Sequence, residues 1–259
     1  MKQVLIIPDR KNLEQYIAFA KENNLGFEYN DFFLPSLLDD EEKLQEAIAC
    51  YKEMELPAYN TLHGAFFDVI PFSVDEKIKE ISMQRIETSI DVAKRIGAKA
   101  VVFHTNYNPF LNSKSYVEHW IKENISVWSI LLEKHSDIQI YLENMFDTTP
   151  EILETLSEAL CHYPNYGVCL DYAHASISPT EPAVWVERLG KYVKHVHIND
   201  NDLISDLHQA WGNGKINRKE FYELYKTYIK DATVLIETST LEDSKASLER
   251  LKEEGFLTE

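Results

Sequence analysis

The sequence predicts an α/β fold, a single (β/α)8 TIM barrel that takes up residues 1–259 as one domain. Short apolar runs occur eight times, their starts lie about 33 residues apart, and a helical pattern of apolar residues follows each run. The length of 259 residues also suits one barrel of about 250 residues. Because continuously apolar strands separated by helices form parallel sheets, eight such units are expected to close into a ring.

The eight predicted strands are rich in β-branched or apolar residues and end at polar or turn residues. In chain order they are Gln3–Pro8, Gly26–Asn30, Asn60–Ala65, Lys99–Thr105, Ile138–Asn144, Tyr166–Tyr172, Val193–Asp200 and Thr233–Thr238. An open, doubly wound sheet is the alternative, but no Gly-x-Gly-x-x-Gly motif follows the first strand. The sequence contains no linker, low-complexity stretch or charge block that would mark a second domain.

Helix-capping signals lie between the strands and predict where four helices begin. Ser73–Glu76 has the spacing of a capping box, and Gly97 stands where a glycine would end the same helix. Ser115–Glu118, Thr149–Pro150 and Asn217–Glu220 are expected to open three further helices. This alternation of strands and capped helices is typical of repeated βα units.

The charge balance disfavours nucleic acid as a partner. Lys and Arg number 26 against 43 Asp and Glu, so the formal charge of −17 repels polyphosphate unless cations are bound. Cys50, Cys161 and Cys169 are too few and too scattered for a disulfide framework, so we expect a reducing, cytoplasmic setting. The apolar run at the start is too short for a signal sequence or a membrane span, so no membrane partner is expected.

Side chains of the types that bind metals gather at the ends of the predicted strands. In a barrel of this kind these ends meet at one mouth, where active sites are built. Carboxylates that converge there are costly to bury without a cation. The candidates, from strands three to eight, are His63, His104, Glu143, Asp171, His174, His197 and Glu237. We therefore expect a divalent cation at the mouth.

The loop after the seventh strand adds two candidate ligands. Asp206 and His208 are two residues apart, so in an extended segment both side chains face the same way. The Gly-Asn-Gly turn at 212–214 allows tight backbone turning near a ligand, although a plain loop explains the glycines equally well. His195, two residues before His197, is expected to lie below it as packing or support.

These residues resemble the xylose isomerase-like TIM-barrel superfamily, which contains sugar isomerases and epimerases together with the endonuclease IV group. The resemblance covers the whole chain and is most specific at 167–174, 197–200, 206–208, 212–214 and 235–238. It implies that the single divalent ion of the sugar-acting members is bound by Glu143, Asp171, His197 and Glu237. The positions at which the nuclease branch completes a three-zinc cluster are His63, His104, His174, Asp206 and His208.

The resemblance favours an isomerase or epimerase that acts on a small sugar or sugar phosphate through an enediolate. Glu143 and Glu237 are then the expected catalytic acid and base. Substrate contacts are expected from Glu28, Phe66, Tyr107 and Trp211. The alternative is an endonuclease IV-like phosphodiesterase that acts on abasic DNA, because all nine ligand positions are filled, although arginine is scarce. A barrel that binds a metal and a small ligand without turnover is a third hypothesis.

The types of candidate ligand are compatible with more than one metal. Three carboxylates and one imidazole suit Mn²⁺, Mg²⁺ or Co²⁺, whereas additional histidines favour Zn²⁺. The sugar hypothesis implies one ion, and the nuclease hypothesis implies up to three Zn²⁺ ions.

Overall fold

The centre of the fold is a ring of eight strands. The computed structural model describes residues 2–257. The strands are β1 (Val4–Ile6), β2 (Gly26–Tyr29), β3 (Asn60–His63), β4 (Ala100–His104), β5 (Gln139–Glu143), β6 (Tyr166–Asp171), β7 (Val193–Ile198) and β8 (Thr233–Ile236). They are parallel and pair in chain order, and β8 lies beside β1, which closes the barrel. The predicted (β/α)8 TIM barrel is confirmed, and each predicted strand is present, trimmed by at most two residues at either end.

Helices connect the strands and cover the outside of the barrel. Within residues 2–257 they are α1 (Leu13–Asn23), α2 (Pro35–Leu38), α3 (Glu41–Lys52), α4 (Glu76–Ile96), α5 (Lys114–Lys134), α6 (Glu151–Leu160), α7 (Tyr172–Ile177), α8 (Pro182–Leu189), α9 (Arg218–Tyr228) and α10 (Leu241–Glu253). Asn217 caps α9 as predicted, because its side chain accepts the backbone N–H of Glu220. Gly97, at φ 77°, ends α4 as predicted. None of the described helices is long and apolar enough to cross a membrane.

Three predicted helix starts are displaced by a residue or two. Asp75, not Ser73, caps α4, since the Ser73 hydroxyl accepts the backbone N–H of Asp75 instead. Ser113, not Ser115, caps α5, so the helix begins at residue 114, nearer the N-terminus than predicted. Pro150 occupies the N-cap position of α6 without a side-chain hydrogen bond. Neighbouring Ser and Asp residues can both serve as the N-cap of a helix, and their spacing alone does not determine which residue occupies that position.

The register of the strands places the candidate ligands in one layer. His104 pairs with Glu143 across β4 and β5, and Asp171 pairs with His197 across β6 and β7. Because side chains alternate along a strand, the residues two positions earlier point into the same interior. Below the ligands, the interior is filled by the buried cluster of Ala100, Val102, Tyr141 and Cys169. The same interior also holds the buried polar residues Glu28, Thr61 and His195, so below its ionisable upper end the barrel is apolar on one side only.

Candidate active site

Glu143, at the end of β5, is the centre of the ligand layer. Its Oε2 atom lies 3.5 Å from Nε2 of both His63 and His104. Its Oε1 atom lies 3.3 Å from Nδ1 of His197. The side chain of Glu143 is buried, with 1% of its surface exposed. We call Glu143, His63 and His104 the histidine group. The two carboxylate oxygens of Glu143 therefore face two different sets of ligands.

The second set, which we call the central group, consists of Glu143, Asp171, His197 and Glu237. One ligand atom each of Glu143, Asp171 and His197 lie within 4.8 Å of one another. Oε2 of Glu237 lies 3.5 Å from Nδ1 of His197. Asn144 helps to hold this arrangement, because its side-chain oxygen accepts the backbone N–H of Asp171 at 2.9 Å and its amide donates to the Asp171 carbonyl at 2.9 Å. Glu143, Asp171 and His197 can thus reach one cation, and Glu237 borders the same His197 nitrogen.

The third set, the loop group, joins His174 to the two residues predicted after β7. Oδ2 of Asp206 lies 3.3 Å from Nε2 of His174 and 3.0 Å from Nε2 of His208. His208 has a φ of 47°, which is uncommon for a residue other than glycine. The surrounding loop must therefore hold His208 in a conformation that is unfavourable for an L-residue.

Asp200 organises that loop. Its carboxylate accepts backbone N–H groups of Asn201 at 2.9 Å, Gly212 at 2.9 Å and Ile216 at 3.0 Å. A Cβ atom on Gly214 would lie 2.3 Å from the Asn201 carbonyl oxygen and 2.3 Å from Asp200 Oδ1. The backbone approaches so closely here that only glycine fits at position 214 without a shift. The glycine turn therefore packs closely against Asp200 and Asn201 and is not a plain surface connection.

Several buried polar atoms of these groups have no hydrogen-bond partner among residues 2–257. They are His104 Nδ1, Glu143 Oε2, Asp171 Oδ2, both ring nitrogens of His197, Asp206 Oδ1 and Glu237 Oε2. Leaving such atoms unpaired costs free energy, so buried polar atoms normally find partners. Carboxylate oxygens and imidazole nitrogens are the ligands that divalent transition metals take in proteins. The residues present therefore fit a divalent metal.

The titration behaviour of the groups reflects this crowding of like and opposite charges. Burial, with repulsion from Glu237 and Glu143, raises the pKa of Asp171 to about 7. Burial would also raise the pKa of Glu237, but the charge and hydrogen bond of His197 together with the charge of His208 outweigh burial and lower that pKa to about 2. Burial would lower the pKa of His208, but its hydrogen bond to Asp206 and the charges of Glu237, Asp206 and Asp171 together raise that pKa to about 9.

We expect the metal-free protein to lose stability as the pH rises from about 6.5 to 9. The pKa of His208 is raised to about 9 in the folded chain, so its stabilising contribution is complete below its unfolded value and is lost as it deprotonates. The raised pKa of Asp171, about 7, acts in the same direction at lower pH. Thermal unfolding with a chelator across this pH range measures the effect, and His208→Gln should flatten its alkaline part. A midpoint that rises with pH would contradict the expectation.

A cavity of about 440 Å³ opens above the ligands. Its ionisable lining residues are His63, His104, His174, Asp206, His208 and Glu237, and its apolar lining residues are Ile7, Phe66, Phe67, Met145 and Phe146. The Phe66 ring lies 5.1 Å from the His63 ring and 4.8 Å from the His104 ring, between centroids. Among the described residues, neither lysine nor arginine lines this cavity. The cavity thus combines a ligand-rich floor with an aromatic wall.

Of the four residues predicted to contact the substrate, only one lines the cavity. Phe66 lines the cavity, whereas Glu28, Tyr107 and Trp211 do not. Glu28 lies below His197 inside the barrel with 1% of its surface exposed, and Trp211 is equally buried. Tyr107 packs against the Trp120 ring, with centroids 5.5 Å apart. A position shortly after a strand does not reveal whether a loop turns its side chain inward or outward, so the placement of these three residues differs from the expectation.

One wall of the cavity was not predicted from the sequence. Met145 and Phe146 follow Glu143 almost directly, and the Phe146 ring is 6.1 Å from the His174 ring, between centroids. Phe146 is 56% exposed, as is Phe67 at 55% on the same cavity. An apolar pair directly after a candidate ligand was the signal that could have identified this wall.

Comparison with known proteins decides the family. The family model described as a xylose isomerase-like TIM barrel matches residues 18–254. The chain belongs to the xylose isomerase-like TIM-barrel family. An uncharacterized protein of Methanocaldococcus jannaschii is 33% identical over 203 residues, which cover 74% of this chain and 68% of that protein. The family that the sequence resembles is thereby confirmed.

Relatives of this family member that carry an activity in their names are enzymes of two kinds. Fructoselysine 3-epimerase of Shigella flexneri is 24% identical and covers 81% of this chain and 83% of its own. A probable endonuclease 4 of Mycobacterium marinum is 24% identical and covers 76% of this chain and 79% of its own. A solved D-tagatose 3-epimerase-like protein has a TM-score of 0.76 and 26% identity, covering 100% of this chain and 97% of that one.

Proposed function

We propose that this family member is a divalent-metal-dependent isomerase or epimerase of a small, uncharged sugar. The observation that carries the proposal is the cavity, which has about 440 Å³ of space, an aromatic wall and no lining lysine or arginine among the described residues. A cavity of this size suits one small molecule, and aromatic side chains cover the apolar faces of such ligands. Phosphate groups are usually bound by Arg or Lys, so a sugar without phosphate fits this lining better. The named sugar epimerase among the relatives supports the same chemistry.

The central group supplies the proton chemistry. Glu237 lines the cavity, and its low pKa of about 2 keeps it ionised at neutral pH, so it can remove a proton from the carbon beside the carbonyl group. Glu143 approaches the same His197 nitrogen from another strand and is the second carboxylate for proton transfer. A divalent ion bound by the central group would polarise the substrate oxygens as a Lewis acid. Phe66 would cover one face of the sugar and exclude water.

Solvent-proton exchange tests this proposal directly. We expect the enzyme with Mn²⁺, Co²⁺ or Zn²⁺ to introduce deuterium from D₂O into an aldose or ketose beside its carbonyl group, measured by NMR. Chelation should abolish the exchange, and unphosphorylated sugars should react faster than their phosphorylated counterparts. Exchange only with sugar phosphates would overturn the substrate class, and no exchange across a broad panel of both would overturn the reaction.

A second function is favoured by one specific observation, namely that the two oxygens of Glu143 face both the histidine group and the central group. With the loop group, the nine ligands form three adjoining sets, as the nuclease hypothesis requires. Several Zn²⁺ ions could then support phosphodiester hydrolysis. The net charge of −17 and the cavity without lining cations weigh against DNA. Three bound ions and chelator-sensitive cleavage of abasic duplex DNA would establish this alternative, whereas one ion and no cleavage would exclude it.

A further inference from the structure

Glu28 is a buried carboxylate that the proposed reaction does not use. It lies in β2, and its side chain meets His195 and His197 of β7, although β8 and β1 stand between these strands in the ring. The side chain therefore extends across the barrel interior below the central group. A buried carboxylate costs free energy that apolar packing would avoid, so its presence there calls for a functional reason.

The contacts of Glu28 fix both of its oxygens. Oε2 accepts the Thr61 hydroxyl at 2.7 Å and lies 3.1 Å from Nε2 of His195. Oε1 lies 3.1 Å from Nε2 of His197. On its far side, His195 meets the Thr233 hydroxyl through Nδ1 at 2.6 Å. Since every one of these partners stands on a barrel strand, the carboxylate has little freedom to move.

This arrangement also assigns the two nitrogens of His197. A histidine that binds a metal through one ring nitrogen carries its proton on the other, which commonly faces a carboxylate. In His197, Nε2 lies 3.1 Å from Glu28 Oε1, and Nδ1 lies 3.3 Å from Glu143 and 3.5 Å from Glu237, while neither nitrogen makes a hydrogen bond of regular geometry among residues 2–257. The ring is therefore oriented as a metal ligand from below.

We propose that Glu28 is a positioning residue that holds the His197 ring through Nε2, so that Nδ1 is directed into the central group. His195 and Thr61 brace the carboxylate, which makes the layer below the ligands part of the site. The inference rests on the cation site in the proposed function, but it does not depend on whether the substrate is a sugar or a phosphodiester. Carboxylates behind metal-bound histidines typically contribute a factor of about 10–100 in metal affinity.

Titration with Co²⁺ alone tests this role, because its visible absorption reports the ligand geometry. We expect Glu28→Gln to weaken Co²⁺ binding about 10–100-fold at one site and to shift the absorption bands, while the metal-free variant still unfolds cooperatively. Asp147→Asn is the matched control. It removes another buried carboxylate at this end of the barrel, one bonded to Thr105 and the Met145 N–H, and should leave Co²⁺ binding unchanged.

The outcomes separate this inference from the proposed function. If the unaltered protein binds Co²⁺ and Glu28→Gln binds it with the same affinity and spectrum, the positioning role is overturned and the cation site stands. If the unaltered protein binds no Co²⁺, the cation site fails and this inference fails with it. Should Glu28→Gln not fold, His195→Gln tests the positioning role instead, since it keeps the Glu28 carboxylate and removes the imidazole that contacts it. A weaker affinity supports the role, and an unchanged affinity overturns it.

Discussion

Replacing Glu143 with Gln should lower kcat/KM for sugar exchange by about 10⁴-fold and reduce the bound metal. A carboxylate in general acid–base catalysis typically raises the rate about 10²–10⁴-fold. We expect an effect at the upper end of this range for Glu143 because it also joins two ligand groups. Its oxygens face His63 and His104 on one side and His197 on the other. The amide keeps the shape of the side chain but cannot supply an anionic ligand to both groups. Exchange kinetics and metal analysis of the purified variant measure the two effects.

Glu237→Gln provides the contrast for this prediction. Glu237 lines the cavity and belongs to the central group alone, so its loss should slow exchange while the histidine group keeps its ligands. Circular dichroism and chemical unfolding show whether each variant is folded. Near-normal exchange by folded Glu143→Gln protein would remove Glu143 from both of its assigned roles.

The barrel could be predicted from the sequence because each strand is recognisable from its own short apolar run. An apolar run followed by a helical pattern repeats about every 33 residues, and eight repeats leave few other topologies. The approach of Asp171 to His197 also follows from the fold, since equivalent ends of neighbouring parallel strands meet at one edge. The gathering of strand-end ligands is therefore a consequence of topology and required no knowledge of loops.

The residues that the sequence did not place correctly depend on contacts between distant segments. Glu28 was expected at the substrate, but its carboxylate reaches β7, 167 residues away in the chain, and lies beneath the ligands. Trp211 was expected at the cavity, but its backbone N–H bonds Ser247 at 2.9 Å in α10 and its ring is buried. Loop direction is decided by such long-range packing, which periodicity and spacing do not encode.

The second large effect is expected from Asp200→Ala, which should lower the free energy of unfolding by about 3–5 kcal/mol. The substitution leaves three backbone N–H groups without the carboxylate, and each unpaired buried donor costs about 1–3 kcal/mol. The loop also carries a two-way backbone bridge between Asp200 and Gln209, with both N–H···O distances 2.9 Å, directly beside His208. Denaturant unfolding measures the loss in stability, and metal analysis should show that the loop group no longer binds.

Asp202→Ala is the matched control, because the same loop contains this second aspartate with a different setting. Its carboxylate accepts the N–H groups of Ile204 at 3.0 Å and Ser205 at 2.7 Å, and both hydrogen bonds are exposed to solvent. Water can replace exposed hydrogen bonds, so the expected loss is about 1 kcal/mol or less. If the two variants lost equal stability, Asp200 would be an ordinary turn residue, and Asp206 and His208 would owe their positions to other contacts. A selective loss in Asp200→Ala would instead show that a carboxylate remote from the substrate holds one third of the ligand layer in place.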